Sequence, residues 1–172
     1  MKDNYPKNSW ISSKIKIKNS KINGKGMFAT KVIKSGEIIT IWGADYVTKS
    51  EATNIKNKGK LIMHLDTNLY SIEERGDDIT YFINHSCDPN IWMRNVFTLE
   101  ARKNIKIGEE LTADYAMWEG DKYVSSWNCN CKSKLCRKTI TGKDWKLKDL
   151  QKRYKNHFSP LLNKRIKNQH KF

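Results

Sequence analysis

The chain has 172 residues, 33 Lys/Arg against 18 Asp/Glu for a formal net charge of +15, and 38% hydrophobic residues. That length suits one domain with a core and some appended elements. No run approaches the ~20 apolar residues of a membrane-spanning helix, and the opening MKDNYPKNSWISSKIKIKNS lacks the apolar centre of a secretory signal. The expectation is therefore an intracellular protein, cytoplasmic or nuclear (a host nucleus included), with no membrane partner. Thiols stay reduced inside cells, so the four cysteines point to metal binding before disulfides.

Short apolar or alternating runs fill the first two thirds: KIKIK (14 to 18), EIITIW (37 to 42), LIMHL (61 to 65), LYSI (69 to 72) and NIWMRNVFTLEA (90 to 101). Gly, Asn and Asp punctuate them, which is the pattern of many short strands. TKSEATNIKNKGK (48 to 60) predicts a helix opened by a Ser/Thr cap and closing near Gly59. A second helix is expected within TGKDWKLKDLQKRYKNHF, with Leu147, Leu150 and Tyr154 on one side. The predicted class is mostly β, with few helices. From Cys129 onward, 14 Lys/Arg face two acids, Asp144 and Asp149. Such a tail suits nucleic acid or another polyanion; a solvated basic helix is the plain alternative.

Chemistry concentrates in four stretches. Cys129-x-Cys131-x4-Cys136 is a compact ligand cluster, and tetrahedral zinc takes four thiolate or imidazole ligands. Cys87 fills the vacancy only if the fold brings NHSC against the C-terminal segment. His64, His157 and His170 lack close spacing to the cluster, and three unrelated thiols are the alternative. A closed four-thiolate site leaves no position for substrate, so its zinc would be structural. NGKGMFAT (23 to 30) sets two glycines around Lys25, as in a hairpin turn or a close approach of backbone to a ligand. YFINHSCDPN (81 to 90) packs polar residues that are costly to bury without partners. GEELTADYAMW (108 to 118) carries a turn, a short strand, then Asp114 and Tyr115.

In this order, GxG, NHSCxPN, ELTxDY and CxCx4C closely resemble the SET-domain protein lysine methyltransferases that carry a post-SET zinc segment. The resemblance spans about residues 14 to 145. It implies a SET domain over 14–118, made of small curved sheets with a knot-like crossing, then a post-SET zinc segment (119–145) and a basic C-terminal helix or tail (146–172). It also implies one structural zinc shared by Cys87, Cys129, Cys131 and Cys136. S-adenosyl-L-methionine would lie over Lys25, Gly26 and Met27, with Asn84, His85 and Trp145 as further contacts, and Tyr115 matches the catalytic tyrosine. The implied activity is methyl transfer to a lysine amine of a protein substrate, histones included. Trp42, Tyr46, Tyr70, Tyr81 and Trp118 are candidates for the walls of the lysine channel. Ala113 stands where many relatives carry Phe or Tyr, which implies a roomier site. The competing expectation is a weakly active or inactive SET-fold module that binds nucleic acid or chromatin through its basic end.

Overall fold

The computed structural model describes residues 5–55, 60–74, 79–120 and 126–169. Thirteen short strands among these residues are β1 Trp10–Ile11, β2 Ile15–Asn19, β3 Lys25–Ala29, β4 Ile38–Ile41, β5 Asp45–Val47, β6 Lys60–Asp66, β7 Leu69–Glu74, β8 Asn84–His85, β9 Ile91–Met93, β10 Thr98–Ala101, β11 Glu110–Ala113, β12 Trp127–Asn128 and β13 Thr139–Ile140. Three α-helices, α1 Lys49–Asn54, α2 Lys148–Tyr154 and α3 Pro160–Gln169, accompany them, so the mostly β expectation holds.

The strands form four small sheets, in the orders β1-β4-β10-β9, β2-β3-β11-β8, β5-β7-β6 and β12-β13. KIKIK shows why the first reading works: Ile15 and Ile17 are half-buried and pack on the core, while Lys16 and Lys18 project outward. The 20–24 turn that joins β2 to β3 is closed by Ser20 N–H on the Gly24 carbonyl (2.8 Å), and Gly24 has φ +46°. The hairpin reading of NGKG therefore holds, and Gly24 adopts the conformation that glycine tolerates best. NIWMRNVFTLEA becomes the β9/β10 hairpin, and LIMHL and LYSI become the β6/β7 hairpin.

Helix α1 starts on a capping box: the Thr48 side chain accepts from Glu51 N–H, and the Glu51 carboxylate accepts from Thr48 N–H at 2.6 Å. It stops at Asn54, and residues 56–59 of its expected end lie outside the described residues. The expected helix within 141–158 is instead a 3₁₀ turn at Asp144–Lys146, then α2, then a second 3₁₀ turn at Lys155–His157. Lys155, at φ +46°, breaks the rod. Leu150 and Tyr154 are buried as expected, but Leu147 is 41% exposed because it precedes α2 and lies outside its first turn. A helix unforeseen in the sequence follows: Ser159 caps α3 through its side-chain oxygen to Leu162 N–H, and Pro160 occupies the first helical position.

One core joins all of this. Met27, Ile39, Ile91, Leu99, Leu111 and Met117 from the sheets pack in the same cluster as Leu150, Tyr154, Phe158 and Leu162. The basic C-terminal stretch is thus a packed part of the domain, with its charges on the outer face. Among the described residues no helix is long and apolar enough to cross a membrane.

Candidate active site

The site is built where β8 runs parallel to β11, pairing Asn84 with Thr112 and His85 with Ala113. Beyond β8 the chain keeps bonding to β11: Ser86 N–H reaches the Ala113 carbonyl (2.9 Å) and Asn90 N–H the Thr112 carbonyl (3.1 Å). The Asn90 side chain accepts from Thr112 N–H (2.8 Å) and donates to the Glu110 carbonyl (2.8 Å). Asn84, His85, Ser86 and Asn90 of NHSCDPN are therefore buried with partners, as a threaded backbone requires, while Asp88 stays half-exposed.

Asn84 Nδ2 lies within hydrogen-bond distance of the Asn23 carbonyl (3.1 Å), the Lys25 carbonyl (3.0 Å) and Glu110 Oε1 (2.8 Å), so it ties the glycine turn to the crossing. A Cβ at Gly26 would stand 2.2 Å from Glu110 Oε1, so any other residue there would displace the Glu110 carboxylate from Asn84. Lys25 Nζ sits 5.7 Å from the centre of the Phe82 ring. Pairing of β3 with β11 ends at Met27, whose side chain is fully buried in the core.

His85 Nδ1 accepts from Tyr115 N–H (3.3 Å), which assigns the proton to Nε2, 3.3 Å from Cys87 Sγ. Burial lowers its pKa to about 4, against the opposing pull of Asp114, so the ring is neutral at pH 7. The Tyr115 hydroxyl donates to the Ile83 carbonyl (2.7 Å), and burial raises its pKa well above the ordinary value. Its ring lies against His85 (5.2 Å between centres), Trp118 (5.6 Å) and Trp127 (6.1 Å).

Asp114, fully buried, holds this arrangement. Its carboxylate takes both Arg137 Nη atoms (2.6 and 2.8 Å), the Tyr154 hydroxyl (2.9 Å) and Ala116 N–H (3.0 Å), while Arg137 Nε reaches Asp144 (2.8 Å). A bidentate guanidinium with every lone pair engaged is the geometry in which a buried ion pair is tolerable.

The same Arg137 donates its backbone N–H to Cys87 Sγ (3.3 Å). The sulfurs of Cys87, Cys129, Cys131 and Cys136 all lie within 4.8 Å of one another, with Cys87 and Cys129 3.9 Å apart. Thiolates tetrahedrally bound to one zinc stand about 3.8 Å apart, so this group can hold a metal ion. Burial pushes the Cys87 thiol up to about 11, and a cation at the centre would offset that cost. His64 and His157 are placed elsewhere, stacked on Tyr70 and Trp92 respectively; His170 lies outside the described residues.

On the other side of Tyr115 opens a pocket of about 300 Å³, lined among others by Trp42, Tyr81, Met93, Trp118 and Glu119, with Ser159 and Leu161 supplied by the C-terminal segment. Tyr46 is not among its walls: it packs with Tyr5 and Phe97. Tyr70 belongs to the β6/β7 hairpin and stacks on His64. Trp145 is 6% exposed within the core, whereas Trp127 meets the ring of His85 edge-on at 5.2 Å.

A family model for the SET domain matches residues 24–116, a span that holds Gly26, the NHSC crossing and Tyr115. The chain belongs to the SET-domain family. The trithorax histone-lysine N-methyltransferase of Drosophila virilis is 31% identical over 135 residues, covering 70% of this chain and 3% of its own length. Human histone-lysine N-methyltransferase 2B is 30% identical over 139 residues, covering 72% of this chain and 5% of its own length. The set1 enzyme of Dictyostelium discoideum is 30% identical over 142 residues, with 74% and 9% covered. This SET domain thus corresponds to a small part of those relatives. The methyltransferase domain of human SETMAR shares the fold, with a TM-score of 0.58 at 20% identity over 77% of this chain and 60% of that one.

Three residues that shape the SET site were not singled out from sequence. Arg137 looks like one more tail cation; its signal was its place directly after the last cysteine of the cluster. Trp127 stands two residues before Cys129, and Glu119 follows Trp118 in the pocket lining.

Proposed function

We propose that this SET domain is an S-adenosylmethionine-dependent protein lysine N-methyltransferase. The observation that carries the reading is the position of Tyr115, with its hydroxyl fixed on Ile83 O between the Asn84/His85 crossing and the aromatic pocket. The residues present fit the cofactor. Gly26 adds no side chain of its own beside the Glu110 carboxylate, Lys25 offers a cation to a carboxylate, and Trp127 offers a ring beside His85. Because both ring nitrogens of His85 and the amide of Asn84 are engaged by the protein, these residues fix the cradle's shape as well as lining it. Bound S-adenosylmethionine supplies a methyl group on a sulfonium.

The chain's own task is to present a neutral amine in line with that methyl. An apolar aromatic pocket disfavours the ammonium form of a lysine whose free pKa is about 10.4. The Tyr115 hydroxyl donates to Ile83 O, leaving its own oxygen to accept from the incoming amine and so to orient it. Because burial raises the Tyr115 pKa, this group positions and does not take the proton. With Ala113 ahead of Asp114, we extend the reading to more than one methyl per lysine. The zinc reading of the cysteine group belongs here as well: one structural ion, coupled through Arg137 to Asp114 and so to the Tyr115 turn.

The substrate is a protein lysine, with histones the first candidates because the relatives are named for them. The exposed lysines of α2 and α3 suit contact with nucleic acid or chromatin around such a substrate. The test is transfer of labelled methyl to core histones and to a denatured lysate. Label on lysine that falls at least a hundredfold with Tyr115→Phe is expected; binding of DNA with no methyl transfer would favour the inactive module instead.

A further inference from the structure

The pocket beside Tyr115 contains two carboxylates, and they differ. Glu73 is spoken for: its oxygens accept from the Ser71 hydroxyl (3.1 Å) and the Tyr81 hydroxyl (3.1 Å). Glu119 Oε2 is buried and has no hydrogen-bond partner among the described residues. Its backbone N–H donates to the Tyr115 carbonyl at 2.8 Å, so the residue lies one turn beyond the tyrosine and lines the same pocket.

A buried carboxylate oxygen without a donor is a costly thing to keep, and this one belongs to a residue that lines the pocket. Burial, then the charges of Asp114 and Asp144, push it up to about 7. Charged and titratable groups surround it. Asp114 and Asp144 are bonded to Arg137; His64, Glu73, Tyr81 and Tyr115 line the pocket with it; and Arg165 of α3 places Nη1 on the Gly120 carbonyl at 2.8 Å. The lysine of a substrate arrives as a cation and must lose a proton before it can attack, and Tyr115 cannot take it.

We propose that Glu119 is the counter-ion and general base for the substrate lysine: its carboxylate holds the incoming ammonium and accepts one proton from it. The N–H bond breaks, an O–H bond forms on Glu119, and a neutral amine faces a neutral acid. After methyl transfer the product is again an ammonium, and the proton carried by Glu119 leaves to water, so each turnover releases one proton. A base that titrates near neutrality is suited to this cycle. The inference rests on reading the pocket as the lysine channel.

Two measurements on the whole protein separate the inference from that reading. The first is binding of n-butylammonium, a mimic of the lysine side chain, followed by tryptophan fluorescence because Trp42 and Trp118 line the pocket. In the wild type, binding should strengthen as pH rises through about 7, and Glu119→Gln, which keeps size and removes charge, should weaken it about tenfold or more. The second is methyl transfer to core histones from about pH 6 to pH 10. Glu119→Gln should lose about a hundredfold near pH 7 and recover to within a few-fold at the alkaline end, where the amine is already neutral, and Glu119→Asp should retain part of the rate. Tyr115→Phe should stay impaired throughout. Parallel pH profiles for the wild type and Glu119→Gln, with equal butylammonium binding, would overturn the inference and leave the methyltransferase intact. Glu119-dependent cation binding without any methyl transfer would keep the cation site and overturn both its role as a base and the enzymatic reading.

Discussion

At the scale of single residues, the site is held by groups that have little choice. Asp114 is fully buried with four donors on its oxygens, Arg137 among them. Asp114→Asn leaves the guanidinium with Asp144 alone and should cost up to about 3–5 kcal/mol, read as a fall in the denaturant midpoint. Glu119 is the reverse case. Its pKa in the folded state is raised to about 7 from an ordinary 4.5, so the stability this group contributes is fully present below about pH 4.5 and is lost as pH rises through 7. Glu119→Gln should therefore raise stability by about 1–3 kcal/mol at pH 8 and change it little at pH 4. An unchanged difference across that range, in thermal melts, would remove Glu119 as a titrating buried acid. Gly26→Ala would drive Glu110 from Asn84 and Ser20; weaker S-adenosylmethionine binding in calorimetry, with little change in melting, is the expected result.

At the scale of elements, the cysteine group is a clasp between β8 and the segment that carries β12 and β13. If the group holds the proposed zinc, chelation, or Cys136→Ser, should lower the melting temperature and free the 126–145 segment, measured by hydrogen exchange. This is also where sequence reading reached furthest and where it stopped. Alone, NHSCDPN passes for a hydrogen-bonded turn and Tyr115 for a core or surface aromatic; NHSCDPN and ELTADY were legible through their ordered resemblance to the SET-domain motifs. The pairing of Asp114 with Arg137 was not, since a cation 23 residues away in a basic tail looks like any other until the fold buries it. Trp127 and Trp145 are equally aromatic in sequence, and only the path of the chain around the cysteines places the first beside His85 and the second in the core. The break between α2 and α3 had a local signal, Ser159 followed by Pro160, that a single long helical window obscured.

At the scale of the whole molecule, the C-terminal quarter has two faces. Leu150, Tyr154, Phe158 and Leu162, four residues apart, extend the core, and Gly120 packs so tightly on α3 that an added Cβ would stand 2.3 Å from Leu162. Truncation from residue 156 would thus unfold the domain and report nothing about docking. Lys148, Lys152, Lys155 and Lys167 instead line an exposed groove between α2 and α3. Changing all four to Glu should weaken methylation of nucleosomes far more than of histone peptides, and more so at low salt. Equal effects on both would count against a docking role for this face.

All these features converge on Tyr115, which stands between the Asn84/His85 crossing and the aromatic pocket. The most direct measurement is transfer of labelled methyl from S-adenosylmethionine to core histones by zinc-loaded wild type and by Tyr115→Phe, with folding of both verified by melting. Label on lysine in the wild type, reduced about a hundredfold or more in the mutant at unchanged stability, is the expected result. Equal transfer by the two proteins would contradict the role given to Tyr115, and no transfer by either, to histones or to a denatured lysate, would contradict the enzyme itself.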